Sequence, residues 1–240
     1  MRAASEAAEV LDLLARGELR LLGLLPRASN HTFLAEISGG DAAVLAVYKP
    51  RAGETPLWDF PEGTLCRREV AAYEMAQALG WPAVPPTVLR DGPFGMGSAQ
   101  LFIEADPAHQ YFTLRDLCPD AFPPVAAFDV VVGNGDRKAG HCLLDREGTV
   151  WAVDHGLCFN ATPWLRTVIW DFAGQPVPRA LLDDLRRVAE DLRGGALRER
   201  MLGLLAPEEV DATAGRAEDL VATATFPEPG ARRSRPWPAV

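Results

Sequence analysis

Lysine is nearly absent from this chain. Of its 24 basic side chains 22 are arginine, and the two lysines are Lys49 and Lys138. A sequence that uses arginine almost everywhere should keep lysine where a compact ammonium on a flexible stem does what a planar fork does not. Cysteine is also sparse. Cys66, Cys118, Cys142 and Cys158 form no C-x-x-C pair, which argues against a zinc ribbon or a dithiol redox motif and predicts reduced thiols and a cytoplasmic location. No run reaches the roughly 18 apolar residues of a spanning helix. The first 25 residues carry Glu6, Glu9, Asp12 and Glu18, so no secretion signal is expected. Positive charge is scarce as well. The formal net charge is −9 with a pI near 5.0, and only Arg232, Arg233 and Arg235 form a small basic group. Nucleic acid and anionic membrane surfaces are therefore not expected partners.

What is present is enough apolar material, 48% of the residues, to bury a substantial core. Ala8, Leu11, Leu14 and Ala15 stand at helical spacing, and Gly17 closes a helix predicted over 5–16. Residues 19–25, 32–37 and 43–48 read as antiparallel strands joined by turns. A long loop over 50–63 holds Trp58-Asp59-Phe60, and loops of that length are often functional. Residues 65–79 read as a helix closed by Gly80, with Glu69, Tyr73 and Ala76 on one face, and strands follow at 84–89 and 99–104. Residues 105–106 are a polar hinge. Helices over 114–132, interrupted at Pro119, Pro123 and Pro124, lead to a polar loop, and further helices are predicted at 179–193, 196–205 and 207–221. The proline-rich residues 227–240 read as a disordered tail. These elements predict one α+β domain over 1–226, with a small antiparallel-sheet lobe to about 104 and a reduced helical lobe beyond it.

The chemistry is concentrated in residues 133–156. A polar loop holding Asp136 is followed by a short hairpin and then Asp154-His155-Gly156. Phosphoryl transfer needs one carboxylate beside the acceptor hydroxyl and another on the metal that neutralises the phosphates, and the hairpin sets the separation of the two. Asp136 is the expected base, a role worth on the order of 10²–10⁴ in rate, and Asp154 the expected metal ligand. The plainer readings are an aspartate capping a turn and a turn-initiating Asp before Gly156. Lys138 lies two residues after Asp136. Lys49 ends an apolar strand opposite a helix that carries Glu69, its expected partner, with Glu74 as runner-up. Both lysines therefore fall where a point charge on phosphate is wanted.

Tyr48-Lys49-Pro50, Arg68-Glu69, Gly135-Asp136-Arg137 and Asp154-His155-Gly156 together resemble the bacterial phosphatidylinositol 3- and 4-kinase-like proteins, within the wider protein-kinase-like fold. Within that set, residues 57–61, 68–73 and 136–141 resemble a small bacterial family. The likeness covers residues 20–175. It implies a two-lobed fold, ATP with Mg²⁺ or Mn²⁺ as cofactors, catalytic roles for Asp136 and Lys138, and nucleotide contacts from Lys49 and Glu69. Glu104, before the hinge, joins that set. Two departures stand out. His141 occupies the place of a metal-binding asparagine; imidazole favours manganese or zinc over magnesium, and Asn134 is an alternative ligand from the other side of the loop. No glycine-rich loop covers the phosphates, so Ser29 and Thr32 in the first turn are the expected substitutes. Residues 157–172 contain only Arg166 as a base, which disfavours a phosphoinositide headgroup; the acceptor is an undefined small molecule or protein. The rival readings are a nucleotide-binding pseudokinase and a metal-dependent phosphoesterase using Asn134, Asp136, His141, Asp154 and His155.

Overall fold

In the computed structural model, which describes residues 2–26, 30–162, 164–230 and 234–240, helix α1 (Arg2–Arg16) lays Val10, Leu13 and Leu14 on one face of a sheet. Leu14, Ile37, Ala46 and Ala99 are fully buried there. Gly17 ends the helix because nothing larger fits: a Cβ would stand 2.7 Å from Ile37 and 2.8 Å from the Leu13 carbonyl. The Arg90 guanidinium then donates to the Leu14 and Gly17 carbonyls at 2.8 and 2.9 Å, satisfying acceptors that a helix end leaves unpaired.

The sheet has five strands, β1 (Glu18–Leu24), β2 (Phe33–Gly39), β3 (Ala42–Pro50), β4 (Thr87–Gly92) and β5 (Gly95–Leu101), in the order β1-β2-β3-β5-β4 with every pair antiparallel. A bulge between Leu21 and Gly23 breaks the register of edge strand β1. The last two strands differ from the expected 84–89 and 99–104. Gly92 pairs with Gly95, whose φ of 84° suits glycine, so the turn tightens to Pro93-Phe94 and the ladder zips up through residues 95–98. Helix α2 (Leu65–Leu79) begins where the Glu54 carboxylate accepts from the Leu65 and Cys66 amides at 3.1 and 2.8 Å, an anion at the positive helix end.

The chain divides into two compact units, Met1–Tyr73 with Pro85–Ile103, and Glu74–Val84 with Glu104–Val240. The end of α2 and the residues after it group with the second unit, where Glu74 pairs with Arg200 at 2.8 Å, the Trp81 indole donates to Asp184 at 3.0 Å and Ala152 N donates to Ala83 O at 2.8 Å.

In the second unit α3 (Tyr111–Leu117) and a 3₁₀ turn at Pro119–Ala121 precede α4 (Phe122–Val132). Of the three prolines expected to interrupt this stretch only Pro119 does so. Pro123 and Pro124 lie in the first turn of α4, where an N–H has no helical partner to lose. Helix α4 is buried nearly all round, Asp129 included. The hairpin β6 (Cys142–Leu144) and β7 (Val150–Ala152) follows, then α5 (Arg179–Gly194), α6 (Ala196–Leu202) and α7 (Pro207–Thr223). Residues 234–240, whose composition pointed to disorder, depart from that expectation: Ser234 O accepts from Thr167 N, Ala239 O accepts from Ala139 N, and Pro236 is buried.

Candidate active site

In the first unit, alternation along β3 buries Ala46, Tyr48 and Pro50 and leaves Lys49 on the other face. Its ammonium meets the carboxylate of Glu69 from α2, whose side chain is only 3% exposed. A carboxylate so buried needs a cation. Glu74 pairs with Arg200 in the second unit and is not the partner. Beside Glu69, the fully buried Arg68 stacks 4.7 Å over Phe60 and donates to the Thr64 hydroxyl, so part of the long 50–63 loop is tied to the helix. Residues 51–52, 54–57 and 60–63 of that loop, with Leu65, Phe94 and Met96, line a cavity of about 420 Å³, and Trp58 on the loop is 87% exposed. Thr32, expected at the phosphates, is buried, and its hydroxyl donates to Asn30 O at 3.3 Å. Ser29 lies outside the described residues.

In the second unit the polar loop starts at Gly133, whose φ of 60° turns the chain out of α4. The loop is built on Asp129, one helical turn earlier and fully buried. Its carboxylate accepts from Arg137 Nε at 3.1–3.2 Å, Arg137 Nη2 at 2.9 Å, Asn134 Nδ2 at 2.9 Å and the Thr167 hydroxyl at 3.3 Å. Arg137, itself fully buried, also donates to Val153 O at 2.7 Å and meets His155 Nε2 at 2.7 Å. Burial lowers its pKa, but the Asp129 carboxylate, joined by Cys142 and Cys158, raises it, and the net direction is upward. From α7, the Arg216 guanidinium donates to Val131 O and Asn160 O at 2.7 and 3.0 Å, closing the end of α4.

This framework presents Asp136 to a polar surface with its side chain 25% exposed and Lys138 Nζ 3.2 Å away. Burial raises the Asp136 pKa above the ordinary carboxylate value, Lys138 and Arg166 pull it down, and Asp154 pushes it up. A carboxylate raised in this way is a stronger base. Asp154, half exposed, follows the hairpin with a φ of 61°, a left-handed conformation that aspartate tolerates at a cost and that recurs at functional sites. His141 Nε2 lies 3.2 Å from its carboxylate.

Two of the expected metal ligands make other contacts in the structure. The Lys138 amide donates to His141 Nδ1 at 3.3 Å, so the ring proton is on Nε2 and faces Asp154. In that tautomer the imidazole donates toward the carboxylate. Asn134 is buried, with Oδ1 accepting from the Asp136 amide at 2.9 Å and Nδ2 committed to Asp129; it braces the loop. Among the described residues no group of three or more His, Cys, Asp or Glu side chains is arranged to hold a metal ion. The donor chemistry of Asp154, a hard carboxylate oxygen, fits one magnesium or manganese ion completed by phosphate oxygens and water. Glu104 pairs with Arg146 at 2.9 Å on the surface.

Sequence reasoning missed Asp129, Arg166 and Arg216. Asp129 carried a readable signal, because a single acid in an otherwise apolar helix must be paired when buried. Arg166 stacks 4.5 Å over Trp164 and donates to Gly135 O at 2.8 Å, and nothing in its local sequence marks that position.

No protein-family model matches the chain. It is 40% identical over 263 aligned positions to Protein Rv2133c of Mycobacterium tuberculosis, covering 95% of this chain and 94% of the relative. A shorter match, 32% identical over 121 residues, covers 40% of the chain and 20% of phosphatidylinositol 4-kinase gamma 4 from Oryza sativa subsp. japonica. Among solved structures, the Golgi casein kinase with Mn/ADP bound has a TM-score of 0.60 at 14% identity, covering 91% of this chain and 75% of that one. The Helicobacter pylori proinflammatory kinase CtkA has a TM-score of 0.52 at 13% identity over 89% and 94% of the two chains. The fold is that of the protein-kinase-like proteins, α+β with two units.

Proposed function

We propose, from the premise that the chain belongs to the family of Protein Rv2133c, that it is an ATP-dependent phosphotransferase of the phosphatidylinositol 3-/4-kinase-like group acting on a hydroxyl acceptor. One observation carries the reading: Asp136 and Asp154 flank the β6–β7 hairpin, one supported by Lys138 and the other by His141. In this reading Lys49, oriented by Glu69, meets nucleotide phosphates as a point charge. Asp154 would hold one divalent ion, whose charge would offset that of the phosphates. Asp136 accepts the proton of the attacking hydroxyl at its carboxylate as that oxygen bonds to the γ-phosphorus and ADP leaves, and Lys138 compensates charge around the transferred group. The Golgi casein kinase structure with Mn/ADP bound supports nucleotide and metal as cofactors. The single arginine in residues 157–172 disfavours a phosphoinositide headgroup.

A nucleotide-binding module without transfer is the second reading, favoured by the inward turn of Asn134 and the donor role of His141. Calorimetric titration of ADP with Mg²⁺ or Mn²⁺, alongside ATP turnover, separates them. Asp154→Asn, which suits a positive φ, should fold normally and lose metal-dependent nucleotide binding. Asp136→Asn should bind nucleotide but transfer about 10²–10⁴-fold more slowly. Tight binding with no turnover in the wild type selects the second reading; hydrolysis of a chromogenic phosphodiester with no use of ATP refutes both.

A further inference from the structure

Arg137 N donates to Arg166 O at 3.0 Å and Val168 N to Arg137 O at 3.1 Å, so the catalytic loop and residues 166–168 form a parallel bridge. The amide between them, Thr167 N, points to the other side of that bridge and donates to Ser234 O at 3.0 Å. Trp170 Nε1 donates to the same carbonyl at 3.0 Å. Five residues later Ala239 O accepts from Ala139 N at 2.8 Å. Between these anchors Pro236 is buried while Arg235, Trp237 and Pro238 are exposed.

This is the pattern by which proteins take up an extended chain: main-chain hydrogen bonds hold it and one side chain in a pocket fixes its register. The three donors are two backbone amides and an indole, and none of them reads the identity of the residue whose carbonyl it meets. The shelf is also placed for chemistry, because Ala139 directly follows Lys138 and is three residues from Asp136.

We propose that Thr167, Trp170, Ala139 and the Pro236 pocket form a docking site for an extended, proline-containing polypeptide, and that residues 234–240 fill it in cis. As a binding site this stands by itself; as the acceptor site, which makes the acceptor class a polypeptide, it rests on the phosphotransferase reading. A tethered segment competes at an effective concentration in the millimolar range, so the same sequence added in trans binds the intact chain poorly.

The test uses the full chain and a fluorescein-labelled synthetic peptide of residues 231–240. In Pro236→Glu a carboxylate replaces the buried proline and should release the segment. That variant should bind the peptide at least tenfold more tightly than the wild type, with faster amide exchange at Ala139 and Thr167. Adding Trp170→Phe to it removes one donor and should weaken peptide binding about three- to tenfold. Equal peptide affinity in wild type and Pro236→Glu, or binding by neither, overturns the proposal. If Pro236→Glu does not fold, wild-type exchange decides: Thr167 N should be protected as well as Val168 N, and solvent-rate exchange at Thr167 overturns it. An ATP titration on the same samples tests the nucleotide reading separately. Its failure removes the acceptor role and leaves peptide docking intact; its success without peptide binding refutes the docking site alone.

Discussion

Asp129→Asn removes one charge from the centre of the second unit and almost no volume. Asp129 and Arg137 side chains are both 0% exposed, so the guanidinium loses its counter-charge in a place water does not reach. Whichever way the new amide is turned, its NH₂ replaces an oxygen that accepts from the guanidinium and sets donor against donor. Leaving one member of a buried ion pair uncompensated costs about 3–5 kcal/mol, against a total stability of about 5–15 kcal/mol. For a chain of this size that lowers the melting temperature by about 6–20 °C. Urea unfolding followed by circular dichroism measures the loss. A second comparison separates charge from packing: Asp129→Leu with Arg137→Met removes both ions, and the pair should cost clearly less than the sum of the single substitutions. A loss below about 1 kcal/mol for Asp129→Asn, or additive costs in the double variant, would refute the argument that this carboxylate carries the loop.

Lys49→Arg tests the lysine-poor composition directly. A longer, forked group next to the buried Glu69 should misplace the phosphate contact, so Lys49→Arg impairs calorimetric ATP binding nearly as much as Lys49→Met; wild-type affinity in the arginine variant refutes this. The pH profile of kcat/KM tests Asp136, which works as the ionised base and is faced by Lys138, Asp154 and Arg166. Lys138→Ala removes a charge that lowers its pKa, so the acidic limb, where activity is lost as pH falls, should move to higher pH. An unmoved or lowered limb shows that Lys138 does not act on that carboxylate.

Much of the architecture could be read from one dimension because it follows local rules. Alternation in residues 33–48 and helix formers in 65–79 place Lys49 opposite Glu69 without any knowledge of the rest. The hairpin between Asp136 and Asp154 is equally local. What escaped was set by tertiary contacts or by hydrogen-bond direction. Asn134 and His141 have the right chemistry for metal, but Asn134 Oδ1 and His141 Nδ1 accept from the Asp136 and Lys138 amides, and no spacing rule reveals which contacts a side chain already makes. Residues 234–240 lack apolar periodicity, yet their carbonyls are held by amides from 139 and 167. Pairing of that kind depends on backbone geometry and leaves little trace in composition.

The bulge in β1 has a consequence for self-association. β1 is an edge strand, and Leu22 and Leu24 on it are 43% and 59% exposed. A straight seven-residue edge bearing leucines would be a template for another chain to add a sixth strand. The break in register between Leu21 and Gly23 interrupts the row of donors and acceptors that such a strand would need and increases the local twist. A single irregular step therefore lets an apolar edge remain exposed without inviting sheet-to-sheet growth.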